Sequence, residues 1–485
     1  MGATYLGIDV GTSSVKSALF DADQALIGQA SHHFDVSRPH PGWSEQDPAA
    51  WWTGVLRTID TLAKTHGLNT LRGIGLSGQM HGAVCLDADD AVLRPAILWN
   101  DGRAGAECAE IEAACPDSRR IAGNIAMPGF TAPKLQWMRH HEPELFDRIA
   151  MVLLPKDHVR LMLTGAYVSE MSDAAGTLWL DVAARDWSDD LLAATGLTRA
   201  QMPRLVEGSA VSGHLKPDLA DRWGVPRDVI VAGGAGDNAA AACGVGVVKP
   251  GRAFVSLGTS GVLFVSNAAF SPNTDGAVHA FCHAIPDTWH QMGVILSATD
   301  SLEWLAGVTG KSAADLAASV EARAGPSDLI FLPYLSGERT PHNDPAARGA
   351  FIGLSRSHGI TDMAHAVMEG VACAFADCQA ALAHAGTDFD SALAVGGGAK
   401  SETWLQIIAN VLDRPLRIAA DSDLGAALGA ARLAICAAEG ADPAEICAEP
   451  EILRDIEPDR DLVPRYAEGD ARYRALYPAL KEAEK

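Results

Sequence analysis

The stretch Tyr5-Leu-Gly-Ile-Asp9-Val-Gly11-Thr12-Ser13-Ser-Val-Lys16-Ser-Ala-Leu-Phe-Asp21 sets two apolar runs on either side of a short polar turn. The pattern predicts two strands joined by that turn. Gly, Thr and Ser there offer several backbone N–H groups and hydroxyls to one small volume, and phosphate oxygens are acceptors that fit such a nest. Gly11 lets a ligand approach the backbone, since no Cβ stands in the way. A carboxylate at Asp9 would repel bare phosphate. Its position makes sense if a divalent ion lies between them, directly or through water, and Mg²⁺ keeps several waters. Taken alone, the turn reads better as a plain hairpin.

A second copy changes that balance. Ala253–Val265 repeats the design, with Gly258-Thr259-Ser260 between two apolar runs, roughly half the chain further on. The repeat predicts two similar α/β domains in tandem, meeting where Gly246 to Gly251 breaks the pattern. The expected divisions are 1–246, 247–440 and a C-terminal helical tail, 441–485, packed on the second domain. Strands at Leu71–Leu76, Val229–Ala232, Leu329–Leu332 and Ala392–Val395 alternate with helices at Pro48–His66, Asp362–Ala385 and Leu424–Glu439. The acidic stretch Glu449–Arg460 is expected to be a solvated connection. A third glycine cluster, Gly396-Gly397-Gly398-Ala399, follows a strand and precedes a helix, where close backbone approach suits a flat adenine ring or its ribose. Strand-to-helix glycines are also common structural devices.

Asp237 follows Val229–Ala232 and the small residues Gly233-Gly-Ala-Gly236, where a strand gives way to a helix. Asp is a favoured helix N-cap, which would account for it fully. The same position suits a general base, because small neighbours leave room for a substrate hydroxyl and the helix N-terminus favours the ionised form. Both readings stand together. Ser77-Gly-Gln79-Met80-His81-Gly82 also follows a strand: Gln79 and His81 could bind hydroxyls, and Met80 offers an apolar face to sugar carbons. Asp101 and Arg103 read as a loop brace.

The 485 residues carry 48% hydrophobic and 20% charged side chains and a net charge of −23. Such a charge repels polyphosphate backbones, so nucleic acid is not an expected partner. No Walker-type Gly-x-x-x-x-Gly-Lys loop, metal-binding His/Cys spacing or Gly-x-Ser-x-Gly elbow occurs. The nine cysteines form no framework, the N-terminal residues lack a secretory pattern, and no membrane span is evident. The expected location is the cytoplasm.

Asp9–Lys16 resembles the first phosphate motif of actin-like ATPases, Gly258–Gly261 the second, and Gly396–Ala399 the adenosine motif. Gly129–Met138, Gly349–Leu354 and Ala366–Glu369 are similar to the FGGY family of carbohydrate kinases. Gly42–Pro48, Ser77–Gly82, Met171–Gly176 and Pro333–His342 resemble its pentulose-phosphorylating branch. The resemblance runs to about Leu433. It implies an α/β fold of two tandem actin-like (ribonuclease-H-like) ATPase domains around a central cleft. It implies ATP-dependent phosphorylation of D-xylulose, with ribulose, a pentitol or glycerol as alternatives. Asp237 is then the catalytic base, and Met80, His81 and Asn238 contact the small sugar. Asp9, Thr12, Ser13, Gly258, Thr259, Ser260, Gly397, Gly398 and Ala399 line the nucleotide side, with Asp9 holding Mg²⁺. A homodimer is compatible with the family. One departure is Asn410, where the family pattern leads one to expect Asp. The rival classes are a non-catalytic sugar sensor on this fold and an actin-like filament or chaperone ATPase.

Overall fold

The computed structural model describes residues 2–320, 325–420 and 425–483. Leu424, expected to begin a helix, and the last two residues of the expected tail lie outside the described residues.

Two seven-stranded sheets organise the chain. In the first, Thr4–Val10 pairs antiparallel with Ser14–Asp21 and parallel with Leu71–Gly78. In the second, Ala253–Leu257 pairs antiparallel with Gly261–Asn267 and parallel with Ala392–Val395. The repeated sequence therefore marks a repeated topology, and each Gly-Thr-Ser turn lies at the end of a strand with partners on both sides.

Local chemistry explains the flanking elements. The helix Pro48–His66 starts where the Asp47 carboxylate accepts from the Ala49 N–H at 2.9 Å and Pro48 takes the first turn; Gly67, at φ +69°, ends it. Its buried Trp51, Val55, Ile59 and Leu62 recur at helical spacing and join Leu6, Ile8, Ile74 and Leu76 in the first core. The second core packs Val255, Leu257 and Ala394 against Val367, Val371 and Phe375 of the helix Ile360–His384. That helix is long and apolar enough to cross a membrane, but 83% of its apolar window is buried in the protein. A third cluster joins the two halves, with Met80, Phe130 and Trp179 meeting Phe254, Phe264 and Phe281.

Two placements differ from the sequence reading. The helix Gly425–Glu439, late in the chain, lies on the first sheet and on the helix Asp237–Gly244. A Cβ on Gly7 would fall 1.9 Å from the Ala427 carbonyl oxygen, and one on Gly75 1.8 Å from that of Ala430. Helix and sheet thus meet backbone to backbone, which only glycine allows. Within Glu449–Arg460, Ile452–Ile456 is not a solvated connection. It forms the edge strand of the second sheet, antiparallel to Leu416–Ala419, with Ile456 buried. Its charged residues face solvent, as edge strands commonly arrange. The last helix, Val463–Ala483, is tied down by Tyr473, whose hydroxyl donates to that of Tyr334 at 3.0 Å, and by Lys481, which is 2.7 Å from Asp344.

Candidate active site

The first Gly-Thr-Ser turn is held from below. Gln79 follows the strand next to Asp9, and its N–H donates to the Val10 carbonyl at 2.9 Å. Its side chain accepts from the Thr12 hydroxyl at 3.2 Å and donates to Gln46 at 3.2 Å. Gln46 in turn donates to the Thr12 carbonyl at 2.6 Å, and the Trp99 indole donates to the Thr12 hydroxyl at 3.0 Å. Ser13, at the tip, is exposed. Gln79, expected to face a sugar, is buried and engaged with the phosphate turn. The register explains this: Asp9 and Val10 lie beside Ser77 and Gly78, so the next residue meets the turn.

The same register brings in the candidate base. Ala235 and Gly236 pair with Ser77 and Gly78, which pair with Asp9 and Val10. Asp237 thus begins its helix about two strand spacings, roughly 10 Å, across the sheet from the end of the Asp9 strand. Gly236, not Asp237, is the N-cap, so the capping explanation fails. The Asp237 carboxylate is half-buried and accepts from the Asn238 backbone N–H at 2.7 Å and its side-chain amide at 2.9 Å. Burial first, and the negative charge of Asp9 second, push its pKa up to about 6. Asp9 is itself raised by burial, countered by a 2.9 Å hydrogen bond from Ser77.

Met80 and His81 adjoin this carboxylate. A Cβ on Gly236 would lie 2.9 Å from Met80 Cγ and Sδ, and one on Gly176 would lie 2.8 Å from the His81 ring and Met80 Cε. Small residues therefore shape the space that both side chains fill. His81 adopts φ +68°, a strained choice for a residue with a side chain, and its carbonyl accepts from Thr131 at 3.1 Å and Lys134 at 2.8 Å. Burial depresses its pKa to about 3, so the ring is neutral. With Nδ1 donating to the Gly176 carbonyl at 2.6 Å, Nε2 is left as an acceptor.

On the second half, the carbonyl of Gly258 accepts from Thr299 N–H at 3.0 Å and hydroxyl at 2.8 Å, and that of Thr259 from Ala298 N–H at 2.8 Å. Thr259 and Ser260 remain exposed. Gly396, at φ +92°, and Gly398 back directly onto Leu257 and Gly258. Beside them opens a cavity of about 550 Å³, lined by Gly397, Gly398, Lys400 and Thr299, and walled by Ala313 and Ala317. Small walls and a glycine floor suit a flat ring system. Ala399 packs toward the second core.

Residues 4–244 match the N-terminal domain, and 253–438 the C-terminal domain, of the FGGY family of carbohydrate kinases. The chain belongs to that family. It is 49% identical to the xylulose kinase of Escherichia coli over 98% of its own length and 96% of the relative's, and 36% identical to that of Bacillus subtilis over 98% and 97%. A crystal structure of xylulose kinase from Rhodospirillum rubrum superposes with a TM-score of 0.91 at 32% identity, covering 99% of both chains.

The structure of this FGGY kinase gathers Asp9, Thr12, Asp237, Asn238, Met80 and His81 on the first half and Gly258, Thr259, Gly397 and Gly398 on the second. Asp101 accepts both arms of Arg103, at 2.9 and 2.7 Å, and braces its loop. Asn410 lies away from the glycine turns, where its Oδ1 accepts from the Asp459 N–H at 2.7 Å and pins the C-terminal segment. Not anticipated from sequence were Thr131 and Lys134 under His81, Gln46 under the turn, and Arg339. The first three act through contacts far apart in the chain: they fall in stretches that carry the family resemblance, Gly129–Met138 and Gly42–Pro48, but neither stretch says what these side chains touch.

Proposed function

We propose that this chain transfers the γ-phosphoryl group of ATP to the C5 hydroxyl of D-xylulose. The observation that carries the reading is Asp237, a half-buried carboxylate raised to about 6, two strands from a phosphate turn and beside Met80 and His81. At neutral pH it is mostly ionised yet more basic than an exposed carboxylate, as a general base needs to be. It accepts the C5 hydroxyl proton as the new O–P bond forms and the bond to the bridging oxygen breaks, releasing ADP. His81 Nε2 accepts from a sugar hydroxyl, and Met80 packs on the carbons. Gly11, Thr12 and Ser13 cradle the phosphates, as do Gly258, Thr259 and Ser260, and the glycine-floored cavity takes the adenosine.

The residues fit a Mg²⁺ ion bound with the nucleotide. Asp9 and Asp237 bring two negative charges together, Asp9 spends only Oδ1 on Ser77, and no cluster of three ligating side chains exists among the described residues. That donor set suits an ion that keeps most of its shell as water and phosphate oxygen. When bound it supplies charge neutralisation on the phosphates. Closure of the two halves excludes water, which would otherwise take the phosphoryl group. The unpaired thiols, most of them buried, fit a reducing cytoplasm, and a homodimer is compatible with the family.

An ADP-coupled assay over D-xylulose, ribulose, pentitols and glycerol tests the substrate. D-xylulose should give the highest kcat/KM, and a tenfold or greater preference for another member (about 1.4 kcal/mol) would replace it. Asp237→Ala should lower kcat by about 10²–10⁴-fold with nucleotide affinity retained. Near-normal turnover would remove Asp237 from the mechanism.

A further inference from the structure

Arg339, in the second half of the chain, contacts a ring cluster that spans both halves, with His279 and Phe281 from the second and Phe130 and His81 from the first. Its Nη1 donates to His279 Nε2 at 3.2 Å, and the far nitrogen of His279 donates to Asn124 Oδ1 at 3.1 Å. His279 stacks on Phe281 at 5.3 Å and lies 5.6 Å from Phe130, whose ring is 4.7 Å from that of His81. The guanidinium is close enough to lower the pKa of both His81 and His279.

Its charge has the carboxyl of Glu338 nearby but, among the described residues, no direct ion-pair partner. The adjacent Glu338 turns Oε1 onto the N–H groups of Leu296 and Arg339 instead, at 3.0 and 2.8 Å. Burial lifts Glu338 to about 8, and burial depresses both His81 and His279, so these rings are neutral. A guanidinium has five donors in a planar fork, and among the described residues that of Arg339 makes one bond to a protein side chain. A partly buried guanidinium with most of its donors unspent is better satisfied when a ligand completes it.

Chemistry says which part of the ligand. A 2-ketopentose closes its furanose ring through the C5 hydroxyl, so a sugar that offers this hydroxyl to a phosphoryl group is open-chain, with a free C2 carbonyl. Asp237 marks the C5 end, Met80 and His81 come next, and Arg339 lies beyond His81. We propose that Arg339 is a specificity-determining residue, its fork donating to the C2 carbonyl oxygen and C1 hydroxyl and so favouring a ketose over the corresponding polyol. Loss of hydrogen bonds from a charged donor should be felt by the carbonyl and scarcely by an alcohol that can rotate to another partner.

The inference rests on the reading of the chain as a pentulose kinase. The test measures kcat/KM for D-xylulose and the inhibition constant of xylitol, its C2-reduced counterpart, in the wild-type chain and in Arg339→Gln and Arg339→Lys. In Arg339→Gln, kcat/KM for D-xylulose should fall by about 10–100-fold while the xylitol constant moves by less than about threefold. Arg339→Lys, which keeps the charge without the fork, should fall between, and it carries the same comparison if the Gln variant does not fold. Equal losses for ketose and polyol, or no loss for either, overturn the assignment. A wild-type chain that phosphorylates no pentulose overturns the functional reading instead.

Discussion

As the proposed base, Asp237 would link activity to stability in a way that pH can separate. In the unfolded chain its carboxyl ionises near 3.8; in the folded chain it ionises at about 6. Between those values the folded protein holds a proton that the unfolded one has lost. Stability therefore declines as pH climbs from about 4 to about 6, and stays lower above that. Activity moves the other way, because the base works only when ionised, so kcat/KM should rise through about pH 6 and then level off. Asp237→Asn removes the ionisation. Melting curves should show it more stable than wild type at pH 7.5 by about 2–4 °C, with the gain gone at pH 4. An unchanged melting temperature at both values would mean that the carboxyl is not strained. The placement of Asp237 was legible in the sequence, because small neighbours and a strand-to-helix junction frame it. Arg339 was not, since its meaning depends on His279 and His81 arriving from distant segments.

Among the elements, the strand Leu71–Gly78 sets the site, because its register with Thr4–Val10 on one side and Ala235–Gly236 on the other decides who meets whom. Gln79→Ala should loosen the first turn, which loses its contacts to Thr12 and Gln46. Two lost hydrogen bonds of about 1 kcal/mol each, with a longer third one to the Gly11 carbonyl at 3.4 Å, predict a rise of roughly 10-fold or more in KM for ATP, with the KM for sugar little changed; initial-rate kinetics over both substrates would show it. The two glycine turns and the helix Pro48–His66 could be read ahead of the structure, since Asp47, Pro48 and Gly67 bracket that helix within the sequence itself. The role of Gln79 could not. A side chain following a strand has several neighbours in reach, and register chooses among them. The edge strand Ile452–Ile456 was hidden for a similar reason: its charges suggest a solvated segment, and only its pairing with Leu416–Ala419 reveals it.

For the whole molecule, the helix Gly425–Glu439 couples the halves. Arg432 donates from it to the carbonyls of Cys243 and Gly244, at 2.8 and 3.0 Å, at the end of the helix that Asp237 begins. A fragment ending at residue 246 would leave the trench over Gly7 and Gly75 open, with Ala18 and Phe20 uncovered beside it. Such a fragment should fail to give a cooperative melt, whereas the full chain should give one; calorimetry on both decides it. Nothing local in an Ala- and Gly-rich helix gives its address, which is written in glycines hundreds of residues away.

That arrangement also has a consequence in time. A ribosome adds about 5–20 residues per second, so some tens of seconds at the slow end separate the emergence of the first sheet from that of its late covering helix. Until then the nascent chain must carry a bare glycine groove, which makes the interval before residue 439 the window in which holding chaperones matter most to its yield.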